Sequence, residues 1–139
     1  MNGQRTSILL AEDDESEVML TLRAIDRSGV ACDVQVARNG FEACEVLFDG
    51  LSQTPDLVLL DLRMPLLNGF DVLTRIRACE RTSRVPVVML SASDEYRDIK
   101  TSFDLHANSY VQKSIDIDLF ESRMKLLLYY WVAVNQSMN

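Results

Sequence analysis

The chain has 139 residues, 47% of them hydrophobic and 25% charged, the make-up of one globular domain able to bury its own core. Fourteen Lys and Arg against 21 Asp and Glu give a net charge of −7, which disfavours nonspecific binding to nucleic acid or anionic lipid. No apolar run approaches the ~20 residues of a membrane span, and the four apolar residues before Glu12 are too few for a secretion signal. Cys32, Cys44 and Cys79 have neither zinc nor redox spacing. A reduced, cytoplasmic, single-domain protein is expected.

Five short apolar runs alternate with longer amphipathic stretches. Residues 8–11 read as a first strand. Residues 15–27 follow as a helix with Val18, Leu22 and Ile25 on one face, and Gly29 suits its end. Residues 34–37 alternate as a second strand. Asn39-Gly40 marks a turn, and Ala43, Val46 and Leu47 mark a second helix. Residues 57–60 are apolar throughout, as a strand buried on both faces requires. Asn68 can cap a third helix carrying Phe70, Leu73 and Ile76. Residues 85–90 are a fourth strand. Ser93 or Asp94 can cap a fourth helix with Tyr96, Ile99 and Phe103 as its apolar face. Residues 110–112 are a fifth strand, and Asp116 or Asp118 can cap a last helix running past Trp131. Strands separated by helices pair in parallel, and right-handed crossovers place helices on both faces. The expected class is a doubly wound α/β fold.

In such sheets ligands bind beyond the carboxyl ends of the strands. Strand one ends in Glu12-Asp13-Asp14-Glu15, strand three in Asp61, strand four in Ser91-Ala92-Ser93 and strand five in Lys113. The fold would bring Asp13, Asp14 and Asp61 into one pocket. Like charges at ~4 Å repel by about 4 kcal/mol at an effective dielectric of ~20. A hard divalent cation with oxygen ligands, magnesium, relieves that repulsion. Lys113 adds a cation suited to a phosphate or to Asp61, and Ser91 adds a hydroxyl. Together they can handle a transferring phosphoryl group. Taken singly, each has a plainer reading. Acids favour the first turn of a helix, a lysine after a strand is commonly solvated, and serine forms turns. Asp61 is different, because a charge placed directly after four apolar residues needs a partner.

The ordered set Ile8-Leu9-Leu10-Ala11-Glu12-Asp13-Asp14-Glu15, Leu59-Leu60-Asp61-Leu62-Arg63-Met64-Pro65 with Gly69, Leu90-Ser91-Ala92 and Tyr110-Val111-Gln112-Lys113 resembles the receiver domain of bacterial two-component response regulators. The resemblance covers about residues 6–132. It implies a flavodoxin-like (βα)5 fold with five parallel strands in the order 2-1-3-4-5. It implies a single domain over 6–134, short flexible tails at 1–5 and 135–139, and no output domain. Asp61 is then the phosphoacceptor, supplied by a sensor histidine kinase. Asp13, Asp14 and Asp61, with the backbone carbonyl of Arg63, hold Mg2+. Ser91 is the hydroxyl that turns toward the phosphoryl group, Tyr110 is the aromatic switch, and Lys113 pairs with the phosphate. The family commonly has a cis proline after the lysine. Ser114 stands there instead, and a trans bond is expected. The Lys113-Ser114 pair and the aromatic end Tyr129-Tyr130-Trp131 resemble the small regulators partnered with bacterial and cyanobacterial phytochrome kinases.

In the last helix, Phe120, Met124, Leu127, Trp131 and Val134 form a stripe expected to pack on the sheet. Leu119, Leu126, Leu128, Tyr129, Tyr130 and Val132 remain as a second apolar set. A homodimer through Leu119, Leu126, Tyr129 and Tyr130 is expected, since exposed apolar patches mark interfaces. Rival functions fit less well. A haloacid-dehalogenase-type phosphatase needs a second Asp two residues after Asp61, where Arg63 stands. A flavodoxin phosphate loop would be repelled by Glu12-Asp13-Asp14-Glu15. Direct DNA binding has no helix-turn-helix and the wrong charge. A relay or phosphate sink would share every site residue. The one histidine, His106, suits a solvated helix end better than phosphotransfer.

Overall fold

The computed structural model describes residues 5–135. The elements run β1 (Thr6–Ala11), α1 (Glu15–Arg27), β2 (Cys32–Ala37), α2 (Gly40–Phe48), β3 (Leu57–Asp61), α3 (Gly69–Ala78), β4 (Val87–Ser91), α4 (Tyr96–Asp104), β5 (Ser109–Gln112) and α5 (Ile117–Leu128). A π-helical stretch, Tyr129–Val134, continues α5. All strand pairs are parallel, in the order β2-β1-β3-β4-β5. The expected fold class is the one observed.

β1 divides its side chains between two cores, as strand alternation requires. Leu9 and Ala11 join Val58, Leu60, Val87 and Met89 beneath α2 and α3, which contribute Leu47, Val72 and Ile76. Ile8 and Leu10 join Leu57, Leu59, Val88 and Leu90 beneath α1 and α5, which contribute Val18, Ile25, Phe120 and Met124. Every residue of β3 and β4 is buried. Helix starts follow local chemistry. Asn39, Asn68 and Asp116 cap α2, α3 and α5, and Asn68 forms a reciprocal box with Asp71. Gly29 ends α1 at φ +76°, a left-handed conformation that favours glycine. Gly69 starts α3 so close to β3 that an added Cβ would lie 2.4 Å from the Asp61 carbonyl oxygen.

Some expectations need correction. Of the residues expected in flexible tails, Arg5 is tied to Asp33 at 2.9 Å, and the Asn135 N–H donates to the Tyr130 carbonyl at 2.7 Å. Residues 1–4 and 136–139, the remainder of those tails, lie outside the described residues. α4 begins after Glu95, which makes no side-chain cap, so neither Ser93 nor Asp94 is its N-cap. Of its expected apolar face only Ile99 is half-buried. Tyr96 and Phe103 are exposed, while Asp98 and Ser102 are buried. In α5, Leu128 is buried with Phe120 and Met124, and Val134 is exposed. Leu127 and Trp131, expected on the inward stripe, are half-buried against the same core, as is Val132. The chain turns π-helical from Tyr129.

Leu128→Ala is therefore expected to cost about 2–5 kcal/mol, whereas Leu126→Ala, on the exposed side, should stay within about 0.5 kcal/mol. Urea unfolding of both variants compares them directly. α1 is capped by Asp14, which accepts from the Glu17 N–H at 3.0 Å. Asp14→Ala should lower stability by about 1 kcal/mol and Asp14→Asn by much less, since asparagine caps as well. Equal losses in thermal melts would contradict the capping role.

Candidate phosphoryl-transfer site

Strand register assembles the site. Ala11 pairs with Leu60, so Glu12 comes level with Asp61 at the end of β3. Asp61 pairs with Leu90, and Ser91 follows it. Ser91 pairs with Gln112, which delivers Lys113 one residue further on. The Lys113 N–H donates to the Ser91 carbonyl at 2.7 Å and fixes that last step.

Lys113 reaches back across the sheet. Its Nζ lies 2.5 Å from Glu12 Oε1, 3.1 Å from Glu17 Oε2 and 3.2 Å from Asp61 Oδ1. Burial by itself works against the ammonium. The hydrogen bond to Glu12 and the charges of Asp61, Glu12 and Glu17 outweigh it and hold Lys113 above the ordinary lysine value. Burial is also the chief cause acting on the acids. It pushes Glu12 up to about 7 although Lys113 pulls the other way. It raises Asp61 against the same opposing pull, with Glu17 and Asp13 adding repulsion.

Carboxylate oxygens of Glu12, Asp13 and Asp61 lie within 4.8 Å of one another. Asp14, expected in this set, stands apart from it. Its Oδ1 accepts from the Ser16 hydroxyl at 2.8 Å and from the Glu17 N–H at 3.0 Å, so the side chain belongs to the start of α1. Glu12, at 1% exposure, takes the place that Asp14 was expected to fill. The sequence did carry a signal for Glu12. It follows an apolar strand directly, the same argument that singled out Asp61. Glu17, the further partner of Lys113, carried no signal distinguishing it from other first-turn acids.

The remaining expected residues surround this centre. Ser91 is buried, and its Oγ accepts from the Ser93 N–H at 3.1 Å. Tyr110 is half-buried in β5 and its hydroxyl donates to the Ser93 carbonyl at 2.8 Å. Arg63 projects outward, and its Nη2 donates to Asp98 Oδ2 on α4 at 3.3 Å. Arg63 and Asp13 line one open cleft together with Asp98, Asn68 and Phe70. Leu66, in the same loop, holds φ +72° in a tight turn closed by the Leu67 N–H on the Pro65 carbonyl at 2.8 Å. Among the described residues no peptide bond is cis, so the bond between Lys113 and Ser114 is trans. The three cysteines are free. Leu119, Leu126, Tyr129 and Tyr130 are all exposed. No helix among the described residues is long and apolar enough to cross a membrane.

This arrangement is a strand-end carboxylate beside a paired ammonium and two further carboxylates, at the carboxyl end of a parallel sheet. Comparison with known proteins places it. The probable methanogenesis regulatory protein FilR2 of Methanothrix harundinacea (strain 6Ac) is 34% identical over 133 residues, covering 94% of this chain and 86% of its own. The response regulator Rcp1 of Synechocystis sp. (strain ATCC 27184 / PCC 6803 / Kazusa) is 33% identical over 120 residues, covering 82% of this chain and 81% of its own. A crystal structure of the Mn2+-bound form of response regulator Rcp1 superposes with a TM-score of 0.89 at 28% identity, covering 96% of this chain and 99% of that one. The phosphorylated cyanobacterial phytochrome response regulator RcpA superposes with a TM-score of 0.91 at 32% identity, covering 98% and 100%. Residues 8–125 match the response regulator receiver domain, and the chain belongs to that family.

Proposed function

We propose that this chain is a phosphoacceptor response regulator that takes a phosphoryl group on Asp61 from a sensor histidine kinase in a Mg2+-dependent reaction. The supporting observation is the approach of Glu12, Asp13 and Asp61 within 4.8 Å, with Lys113 3.2 Å from Asp61. Three carboxylates facing one ammonium leave an excess of negative charge, and their hard oxygens suit magnesium. Glu12, Asp13, Asp61 and the Arg63 carbonyl on the cleft wall would hold the ion, while Asp14 is committed to its helix cap. A bound magnesium supplies charge neutralisation at the transferring oxygens. Lys113 orients Asp61 and receives the phosphoryl charge. The Ser91 hydroxyl, an acceptor from the Ser93 N–H, keeps its own proton to donate. Tyr110 bonds the carbonyl of that same Ser93, so a shift of Ser91 reaches β5 through one residue.

The output is signalling, not turnover of a substrate. Arg63, two residues beyond Asp61, cannot exchange protons near neutrality and so cannot serve as a phosphatase acid. The Lys113-Ser114 pair, and the likeness to a phytochrome response regulator, support a bacteriophytochrome-type kinase as donor. The site would work in the cytoplasm, without direct contact to nucleic acid or membrane, as the net charge of −7 favours. A second copy of the chain would cover Leu119, Leu126, Tyr129 and Tyr130 in a twofold dimer.

Intact-protein mass after incubation with acetyl phosphate tests the acceptor. One phosphoryl increment is expected with Mg2+, none without it, and none in Asp61→Asn. Asp13→Asn should weaken the Mg2+ requirement's midpoint by more than about tenfold, and Asp14→Ala by less than about threefold. An increment that survives Asp61→Asn refutes the assignment. For the dimer, Leu126→Glu or Tyr130→Glu should give a folded monomer by light scattering. A dimeric mass in both variants, or a monomeric wild type, rules out this interface.

A further inference from the structure

α4 is seated on the protein through polar groups. It turns Tyr96 and Phe103 to solvent and buries Asp98 and Ser102. Asp98 Oδ2 accepts from the Ser93 hydroxyl at 2.7 Å and from Arg63 Nη2 at 3.3 Å. The Ser93 hydroxyl in turn accepts from the Glu95 N–H at 3.1 Å, so the turn leading into α4 is tied to the same carboxylate. The Arg63 side chain is 70% exposed and that of Asp98 only 10%, so the acid is the fixed partner and the arginine the exchangeable one. Arg63, Asp98 and Asp13 line one cleft. A guanidinium two residues beyond Asp61 has two anionic destinations there: the Asp98 carboxylate, or a phosphoryl group on Asp61.

We propose that Asp98 is a positioning residue for phosphoryl transfer, one that withholds Arg63 from the phosphoryl site by pairing its guanidinium to α4. The inference rests on Asp61 being the phosphoacceptor. In loading, an Asp61 carboxylate oxygen attacks the phosphorus of an acyl phosphate. The new O–P bond forms, the bond from phosphorus to the donor's acyl oxygen breaks, and the donor carboxylate leaves with the electron pair. In discharge, a water oxygen attacks phosphorus, the bond to Asp61 breaks, and Asp61 regains its carboxylate. The water's protons pass to the released phosphate and solvent. A guanidinium on the phosphoryl oxygens stabilises the transferring group in both directions. Paired to Asp98, Arg63 contributes to neither. An ion pair with one exposed partner is weak, so removing the Asp98 charge frees Arg63 at little cost.

The test is a double-mutant cycle on the full chain with acetyl phosphate and Mg2+, reading loading rate and acyl-phosphate half-life by intact mass. Asp98→Asn keeps the acceptor for Ser93 and removes the charge. It should load and discharge about 5- to 10-fold faster than wild type. The acceleration should vanish in the Arg63→Ala background, where the double variant should load and discharge at the rate of Arg63→Ala itself. A merely structural role for Asp98 would leave the acceleration intact in the Arg63→Ala background. That result, or equal rates in wild type and Asp98→Asn, overturns the proposal. If circular dichroism shows Asp98→Asn unfolded, Asp98→Ser replaces it in the same cycle. A wild type that takes no phosphoryl group sinks the phosphoacceptor reading and this inference together; a wild type that loads, with no Asp98 effect, sinks the inference alone.

Discussion

One ammonium group holds the working end of this protein together. Lys113 faces Glu12, Glu17 and Asp61 within 3.2 Å, and all but Glu17 are largely removed from water. Without that cation two buried carboxylates would face each other unpaired, and the less costly state would be a protonated one. The pairing also organises the edge of the sheet. β5 is short and only half-buried, so little apolar burial defines its position. Lys113 supplies the missing definition, through its backbone bond to Ser91 and its side-chain reach to β1 and β3.

The charge arithmetic of the site suits an incoming anion only when more positive charge comes with it. Glu12, Asp13, Asp61 and Glu17 outnumber Lys113, which argues for a divalent cation before it argues for a phosphate. The same excess separates this pocket from a phosphate-binding loop, where backbone donors and hydroxyls would stand after β1. It also accounts for the division of labour among the consecutive acids 12–14. Glu12 is turned inward to Lys113, Asp13 borders the cleft, and Asp14 caps the start of α1. Three adjacent acids thus do three different things, because a strand ends and a helix begins between them.

The helices around the sheet are held by different forces. α3 inserts Val72, Leu73 and Ile76 into the core, and α5 inserts Phe120, Met124 and Leu128. Each such side chain contributes about 1.5–3 kcal/mol by burial. α4 has no fully buried apolar side chain and rests on Asp98 and Ser102. Hydrogen bonds contribute less net stability than apolar burial and can be exchanged for others of similar strength. A helix seated in this way can be repositioned by a change in charge nearby, and its polar anchors lead through Ser93 to Ser91 and Tyr110. The exposed Tyr96 and Phe103 are carried on this helix.

The sequence by itself determined the alternation of elements, the parallel sheet and most of the site. Those conclusions rest on short-range physics. A short apolar run between turn signals suits a buried strand, a capping side chain acts within three residues, and Asp61 announces itself by following such a run directly. It also marked Gly69, whose lack of a side chain lets α3 start against the Asp61 carbonyl. Tertiary structure decided what periodicity could not. Glu12 is the buried partner of Lys113 because the β1–β3 register sets it level with Asp61, and the position of Glu12 directly after an apolar strand did not by itself name that partner. α4 turns Tyr96 and Phe103 to water while Asp98 on its inner side satisfies the neighbouring Ser93 and the distant Arg63. In each case the deciding contact joins segments far apart in the chain, and hydrophobic period carries no information about such a contact.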